Sequence, residues 1–200
     1  MGGRDDLYVV RNDIFSYDGT NCREILSDDL TVTDATTNRW MQRDGAAAVS
    51  FQNKLWIMGG AEVGELGVFS YDYWMNDVWS SSDDGATWTK VNARVNRLDP
   101  SINATRWLPR WGHSVVTYNN KIYLLGGLGW DGSKNDVWTY GGSGNSWTPL
   151  FLNNPNTTSR WSPRADQATV VYNDKIWIMG GSLDGSFTNR STASQFYNDV

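Results

Sequence analysis

Arg106-Trp107-Leu108-Pro109-Arg110, then Lys121-Ile122-Tyr123-Leu124-Leu125-Gly126-Gly127, then Asn135-Asp136-Val137-Trp138: the order of these three short signatures decides the fold. The first recurs as Arg39-Trp40-Met41-Gln42-Arg43 and as Arg160-Trp161-Ser162-Pro163-Arg164. The second recurs as Lys54-Leu55-Trp56-Ile57-Met58-Gly59-Gly60 and as Lys175-Ile176-Trp177-Ile178-Met179-Gly180-Gly181. From the second arginine to the first glycine is 16 residues in all three copies (43 to 59, 110 to 126, 164 to 180). The third signature recurs as Asn76-Asp77-Val78-Trp79 and, more loosely, as Asn12-Asp13-Ile14-Phe15; its opening returns as Asn198-Asp199-Val200. Successive copies lie 67 and 54 residues apart. Such self-similarity marks a repeat architecture, in which each unit buries its apolar face only by stacking on its neighbours.

Within a unit the patterning is that of short strands. Ser114 to Tyr118 is β-rich, Asn119-Asn120 suits a two-residue hairpin turn, and Lys121 to Leu125 alternates before the diglycine. Asp136 to Tyr140 and Trp147 to Leu150 supply two more strands, joined through Gly141-Gly142-Ser143-Gly144. Four short antiparallel strands per unit, repeated, make the blade of a β-propeller. Twelve Trp and 20 Gly suit strands and tight turns.

The diglycine after an apolar strand, the downstream Asn-Asp-Val-Trp, and a further Trp at Trp88 and Trp147 together resemble the kelch repeat. The resemblance covers nearly the whole chain. It implies an all-β, kelch-type propeller of four-stranded antiparallel blades, each giving one strand to a central channel. That family holds adaptor scaffolds, extracellular modules, and enzymes such as galactose oxidase and a sialic-acid epimerase.

The signatures divide the chain into a partial blade (1–42), two blades (43–109 and 110–163) and a second partial blade (164–200), all within one propeller. Met1-Gly2-Gly3 reads as the tail of a second strand, so the first blade is expected to lack its first two strands. About three blades' worth cannot close a ring of the usual ~4–8 blades. The expectation is an incomplete propeller that further blades would close, from a longer chain or from another copy.

Composition narrows the function. The net charge of -5 argues against a nucleic-acid backbone binder and against an anionic membrane surface. No apolar run reaches the ~20 residues of a spanning helix, and no signal peptide is visible, so the compartment is left open. One cysteine, Cys22, and one histidine, His113, leave no Cys-rich or multi-histidine metal site. No metal or other cofactor is expected.

In a four-stranded meander the loops alternate between two faces. The turns Gln52-Asn53, Asn119-Asn120 and Asn173-Asp174 are short and share one face. The loops after the diglycines (61–75, 128–134, 182–197) and between blades (92–107, 151–160) are long, unequal and share the other. Irregular loops on a rigid scaffold are the usual place for binding residues. The candidate ligand residues there are Tyr73, Trp74, Trp130, Asp131 and Asp184, aromatic rings beside carboxylates.

Residues present in every repeat read instead as architecture. These are Arg43, Arg110 and Arg164, expected to pair with carboxylates such as Asp77 or Asp136, and the diglycines Gly59, Gly60, Gly126, Gly127, Gly180 and Gly181. His113, in register with Ala46 and Gln167, reads as structural. Ser81-Ser82-Asp83-Asp84-Gly85-Ala86-Thr87-Trp88 fits the Asp-box, a structural turn. Glycosylation sequons stand at Asn103, Asn156 and Asn189. The function expected is non-enzymatic recognition of a protein or glycan on the long-loop face. The alternative is part of a sugar oxidase or epimerase whose catalytic residues lie outside this chain.

Overall fold

The computed structural model of the protein describes residues 3–4, 9–33, 35–36, 38–62, 74–96, 98–156, 158–183 and 195–200. Among them there are strands and turns but no helix. Two four-stranded antiparallel sheets form the centre. One runs Ala47–Phe51, Lys54–Ala61, Trp74–Ser81, Thr89–Asn92. The other runs Ser114–Tyr118, Lys121–Leu125, Val137–Tyr140, Thr148–Phe151. Each is a meander with its strands in chain order. Two-stranded sheets flank them. Ile14–Tyr17 pairs with Cys22–Leu26, the third and fourth strands of a blade. Ala168–Tyr172 pairs with Lys175–Met179, the first and second. The described residues therefore form an array of four-stranded propeller blades with a two-stranded half blade on either side.

The first strands of consecutive blades lie side by side, which identifies them as the inner strands around the axis. Hairpins between first and second strands turn through residue pairs with positive φ, as at Asn119 (45°) and Asn120 (54°). Both central residues in the left-handed region make the two-residue turn whose twist matches that of the flanking strands. Each third strand is bulged against its fourth at one position: Ile14/Phe15, Val78/Trp79 and Val137/Trp138.

Blades are stacked through aromatic side chains. Trp107 and Trp147 meet edge to face at 6.1 Å, as do Trp40 and Trp88 one repeat earlier. Trp56 meets Tyr140 of the next blade at 5.5 Å. Pairs of this kind contribute about 0.5–1.5 kcal/mol each beyond the area they bury. The diglycine permits the close approach. A Cβ on Gly59 would stand 2.6 Å from His113 Cε1, and one on Gly127 would stand 2.7 Å from His113 Cβ. Both glycines also have positive φ, so any side chain would be strained as well as crowded.

One arginine per blade ties the strands together. Arg43 Nη1 donates to the Gly59 carbonyl (2.9 Å), and its two Nη atoms donate to Asp77 Oδ1 and Oδ2 (2.9 and 2.8 Å). Arg110 repeats this with Gly126 (2.8 Å) and Asp136 (2.6 and 2.8 Å). Arg164 repeats it with Gly180 (2.9 Å) and Asp199 (2.5 and 2.8 Å). Trp79 and Trp138 indoles donate to the same aspartates. Burial pushes the Asp77 and Asp136 carboxyls upward. The guanidinium opposite, together with the indole N–H, outweighs it, and both carboxyls stay below the usual carboxylate range.

Candidate binding face

The diglycine and the Asn-Asp-Val-Trp signature are the two feet of each long loop, and the arginine described above grips both. Its bonds to Gly59 and Asp77, or to Gly126 and Asp136, fix where the loop leaves and rejoins the sheet. A second clamp is made by the asparagine of the third signature. Asn76 Nδ2 donates to the Trp107 carbonyl (2.9 Å), while its Oδ1 accepts from Val95 N–H (2.9 Å). Asn12 bonds in the same way to Trp40 and Asp29, and Asn135 to Trp161 and Asn154. The first arginine of each RWxxR completes this clamp. Arg39 donates to the Asn12 carbonyl (3.1 Å), Arg106 to that of Asn76 (3.3 Å), and Arg160 to Asn135 Oδ1 (3.4 Å). These side chains hold the connections between blades.

The long-loop face also carries a backbone belt. Gly112 N–H donates to the Gly45 carbonyl (2.9 Å), and Asp166 N–H to the Gly112 carbonyl (2.7 Å). The three residues are repeat equivalents, each just after the arginine and its neighbour, and each has φ near +60°. Within a blade, the residue after the diglycine pairs with the residue after the arginine: Asp44 with Ala61, Trp111 with Leu128, Ala165 with Ser182.

The candidate residues distribute as follows on this scaffold. Trp74 lies inside a strand, because the second and third strands of its blade extend past the diglycine to pair Ala61 with Trp74. Its ring is buried (3% exposed) against Ala61, Leu128 and Ala165. Trp130 and Asp131 occupy the tip of a short hairpin between Leu128–Gly129 and Gly132–Ser133. The Trp130 ring is half-buried on the same cluster, together with Trp111. The Asp131 side chain is 42% exposed and forms an ion pair with the buried Lys134 ammonium. Burial pushes the Lys134 amine down, with Asp131 opposing. Trp74, Trp111, Trp130, Asp131 and Lys134 are thus brought together. Tyr73 and Asp184 lie outside the described residues.

Trp111 and Lys134 were not among the sequence candidates. Trp111 carried a signal: Trp stands where the other repeats have Asp44 and Ala165, so it breaks the repeat. Lys134 carried none, since its burial follows from the hairpin.

Other groups singled out in the sequence lie elsewhere. His113 is buried between blades against Trp107, 5.5 Å between ring centroids. Burial and the neighbouring Arg110 push its imidazole down to about 3. It faces the Met58 carbonyl, a contact short of full hydrogen-bond geometry. Gln167, its repeat equivalent, donates to the Leu125 carbonyl at 2.8 Å. Ser81 and Asp83 form the Asp-box turn. Ser81 Oγ accepts from Gly85 N–H (2.9 Å), Asp83 accepts from Thr87 N–H and Oγ1 (3.0 and 2.6 Å), and Trp88 Nε1 donates to Gly85 O (3.0 Å). Among the described residues no three His, Cys, Asp or Glu side chains converge as a metal site would require. Among the described residues no helix is long and apolar enough to cross a membrane.

This architecture is that of a kelch propeller, and the chain belongs to the kelch-repeat family: residues 2–200 match the family model of the KLHDC2/KLHL20/DRC7 Kelch-repeats domain. It is similar to human Host cell factor 2, 26% identical over 201 residues, covering 86% of this chain and 23% of that protein. It is similar also to human Kelch-like protein 6, 23% identical over 157 residues, covering 76% of this chain and 19% of that protein. A third relative is Tip elongation aberrant protein 3 of Schizosaccharomyces pombe, 29% identical over 86 residues, covering 40% of this chain and 7% of that protein. The chain thus spans less than a quarter of the length of each of these relatives.

Proposed function

We propose that this chain is a non-enzymatic recognition module that binds a protein partner on its long-loop face, through the hairpin that carries Trp130 and Asp131. The observation behind this reading is the contrast between scaffold and hairpin. The arginine, asparagine and diglycine interactions recur in each blade, whereas Trp111, Trp130, Asp131 and Lys134 occur once. A half-buried indole beside an exposed carboxylate, on a hairpin anchored by a buried lysine, supplies apolar area and a polar handle at little cost in ordering. Trp74 supports that hairpin from beneath. Tyr73 and Asp184, in the neighbouring loops by sequence, are proposed as further ligand residues.

The family supports a binding role, since kelch repeats are typically interaction modules. The test is a peptide and glycan array probed with the wild-type chain, followed by titration of the strongest ligand. Trp130→Ala is expected to weaken binding at least tenfold while the chain stays folded with a lowered melting temperature, and Asp131→Asn to weaken binding less. Unchanged affinity in both variants sinks the assignment of this face. Selection of glycans alone would replace the protein partner by a carbohydrate.

A further inference from the structure

One repeat position on the backbone belt is unequal. Gly45, Gly112 and Asp166 occupy it in successive blades, at φ values of 61°, 62° and 58°. Glycine takes this backbone freely, whereas an aspartate there carries a steric cost. The belt does without the side chain, since Gly112 N–H makes the same backbone bond that Asp166 N–H makes. The position before it is unequal too, with Asp44, Trp111 and Ala165.

The two glycines make room for these residues. A Cβ on Gly45 would stand 2.9 Å from Trp111 Cε3, and one on Gly112 would stand 2.6 Å from Asp166 Oδ1. Trp111 thus lies over Gly45, and the Asp166 carboxylate lies over Gly112 beside it. Ala165, Trp111 and Trp130 share one apolar cluster. Asp131 Oδ1 accepts from Lys134 at the hairpin tip, and its carboxylate remains 42% exposed. Two half-buried indoles are therefore flanked by two exposed aspartates, Asp131 and Asp166. The cations nearby are turned inward. The side chains of Arg43, Arg110, Arg164 and Lys134 are 3% exposed or less, and each pairs with an aspartate. Outward, the face offers indole rings and negative charge, on a chain of net charge -5.

We propose that the partner's contact residue is cationic: an arginine or lysine of a basic peptide segment, seated on the Trp111 and Trp130 rings between the carboxylates of Asp131 and Asp166. The inference rests on the reading of the long-loop face as a protein-binding surface, and it names the chemistry that surface selects. An indole attracts a cation through its ring electrons, and more strongly where water is partly excluded. The carboxylates add charge pairing, which salt screens. Asp166 is then a specificity-determining residue, present where two other blades fold with glycine.

The test is an array of peptides with randomised positions, probed with the full chain, followed by titration of the strongest peptide. Arginine or lysine should be enriched at one position or more. Alanine at that position should weaken binding roughly tenfold, and glutamate should weaken it further. Asp166→Gly should weaken binding of the same peptide about fivefold. Its melting temperature should be equal or higher, because the substitution copies Gly45 and Gly112. Asp84→Gly removes the same charge, also at a φ of 58°, from the turn between third and fourth strands, and should leave the affinity unchanged. Peptides that bind through Trp130 yet carry no enriched basic residue overturn this inference and leave the recognition face standing. So do peptides that bind Asp166→Gly as tightly as wild type. An array with no bound peptide overturns both.

Discussion

His113 shows how one residue can sit within an architectural position and still set a property of the whole chain. Its register elsewhere holds Gln167, which bonds across to Leu125, and Ala46. The buried imidazole stays neutral in the fold, with its titration pushed to about 3, whereas in the unfolded chain it titrates near ~6.5. Below that unfolded value the unfolded state binds the extra proton, so stability falls as pH drops from about 6.5 towards 3. His113→Gln should remove that component, giving a flatter plot of melting temperature against pH between pH 7 and 4. At pH 7 it should change stability little, because glutamine can donate to Met58 as Gln167 does to Leu125. Equal slopes in wild type and variant would show that the carboxylates alone govern acid stability. The roles of such residues are only partly legible in a sequence. The RWxxR arginines and the diglycines announce themselves by repetition. The burial of His113, Trp74 and Lys134 comes from neighbouring blades tens of residues away, and no local pattern encodes it.

At the scale of the element, the hairpins were the most legible part of the chain. Asn119-Asn120, Gln52-Asn53 and Asn173-Asp174 lie between alternating runs, and all six residues take positive φ. A β-branched residue there meets the steric penalty of the left-handed region, about 1–2 kcal/mol. Asn120→Val is therefore expected to lower the free energy of unfolding by that amount in urea titration, and Asn120→Gly to leave it unchanged or raise it. The extension of the second and third strands to Ala61 and Trp74 was less legible. Loop and strand are distinguished there by a tertiary contact, the packing of Trp74 on Leu128 and Ala165. Read locally, Trp74 belongs to an aromatic loop; in the fold it is a buried strand residue beneath the Trp130 hairpin.

For the whole molecule, the repeat spacing carried the architecture before any contact was known, because stacked blades must present the same groups at the same step. What differs between blades is local and irregular, which is why the proposed binding face was only sketched in the sequence. Stability should follow the stacking. Amide exchange is expected to be slowest in Lys54–Met58 and Lys121–Leu125, second strands flanked on both sides within whole blades. It should be faster in Lys175–Met179 and Ile14–Tyr17, where only one side is paired among the described residues. Uniform protection across all four would show that the end sheets are covered as fully as the centre. The arginine that grips Gly59 and Asp77 has a wider meaning. Beyond the Ala61–Trp74 pair, the segment it brackets can be lengthened, shortened or replaced with the anchoring atoms untouched, since they all lie outside that part. Natural variation can therefore rewrite the face these segments present, one segment at a time, and a segment transplanted from one blade to another should arrive on feet that already fit.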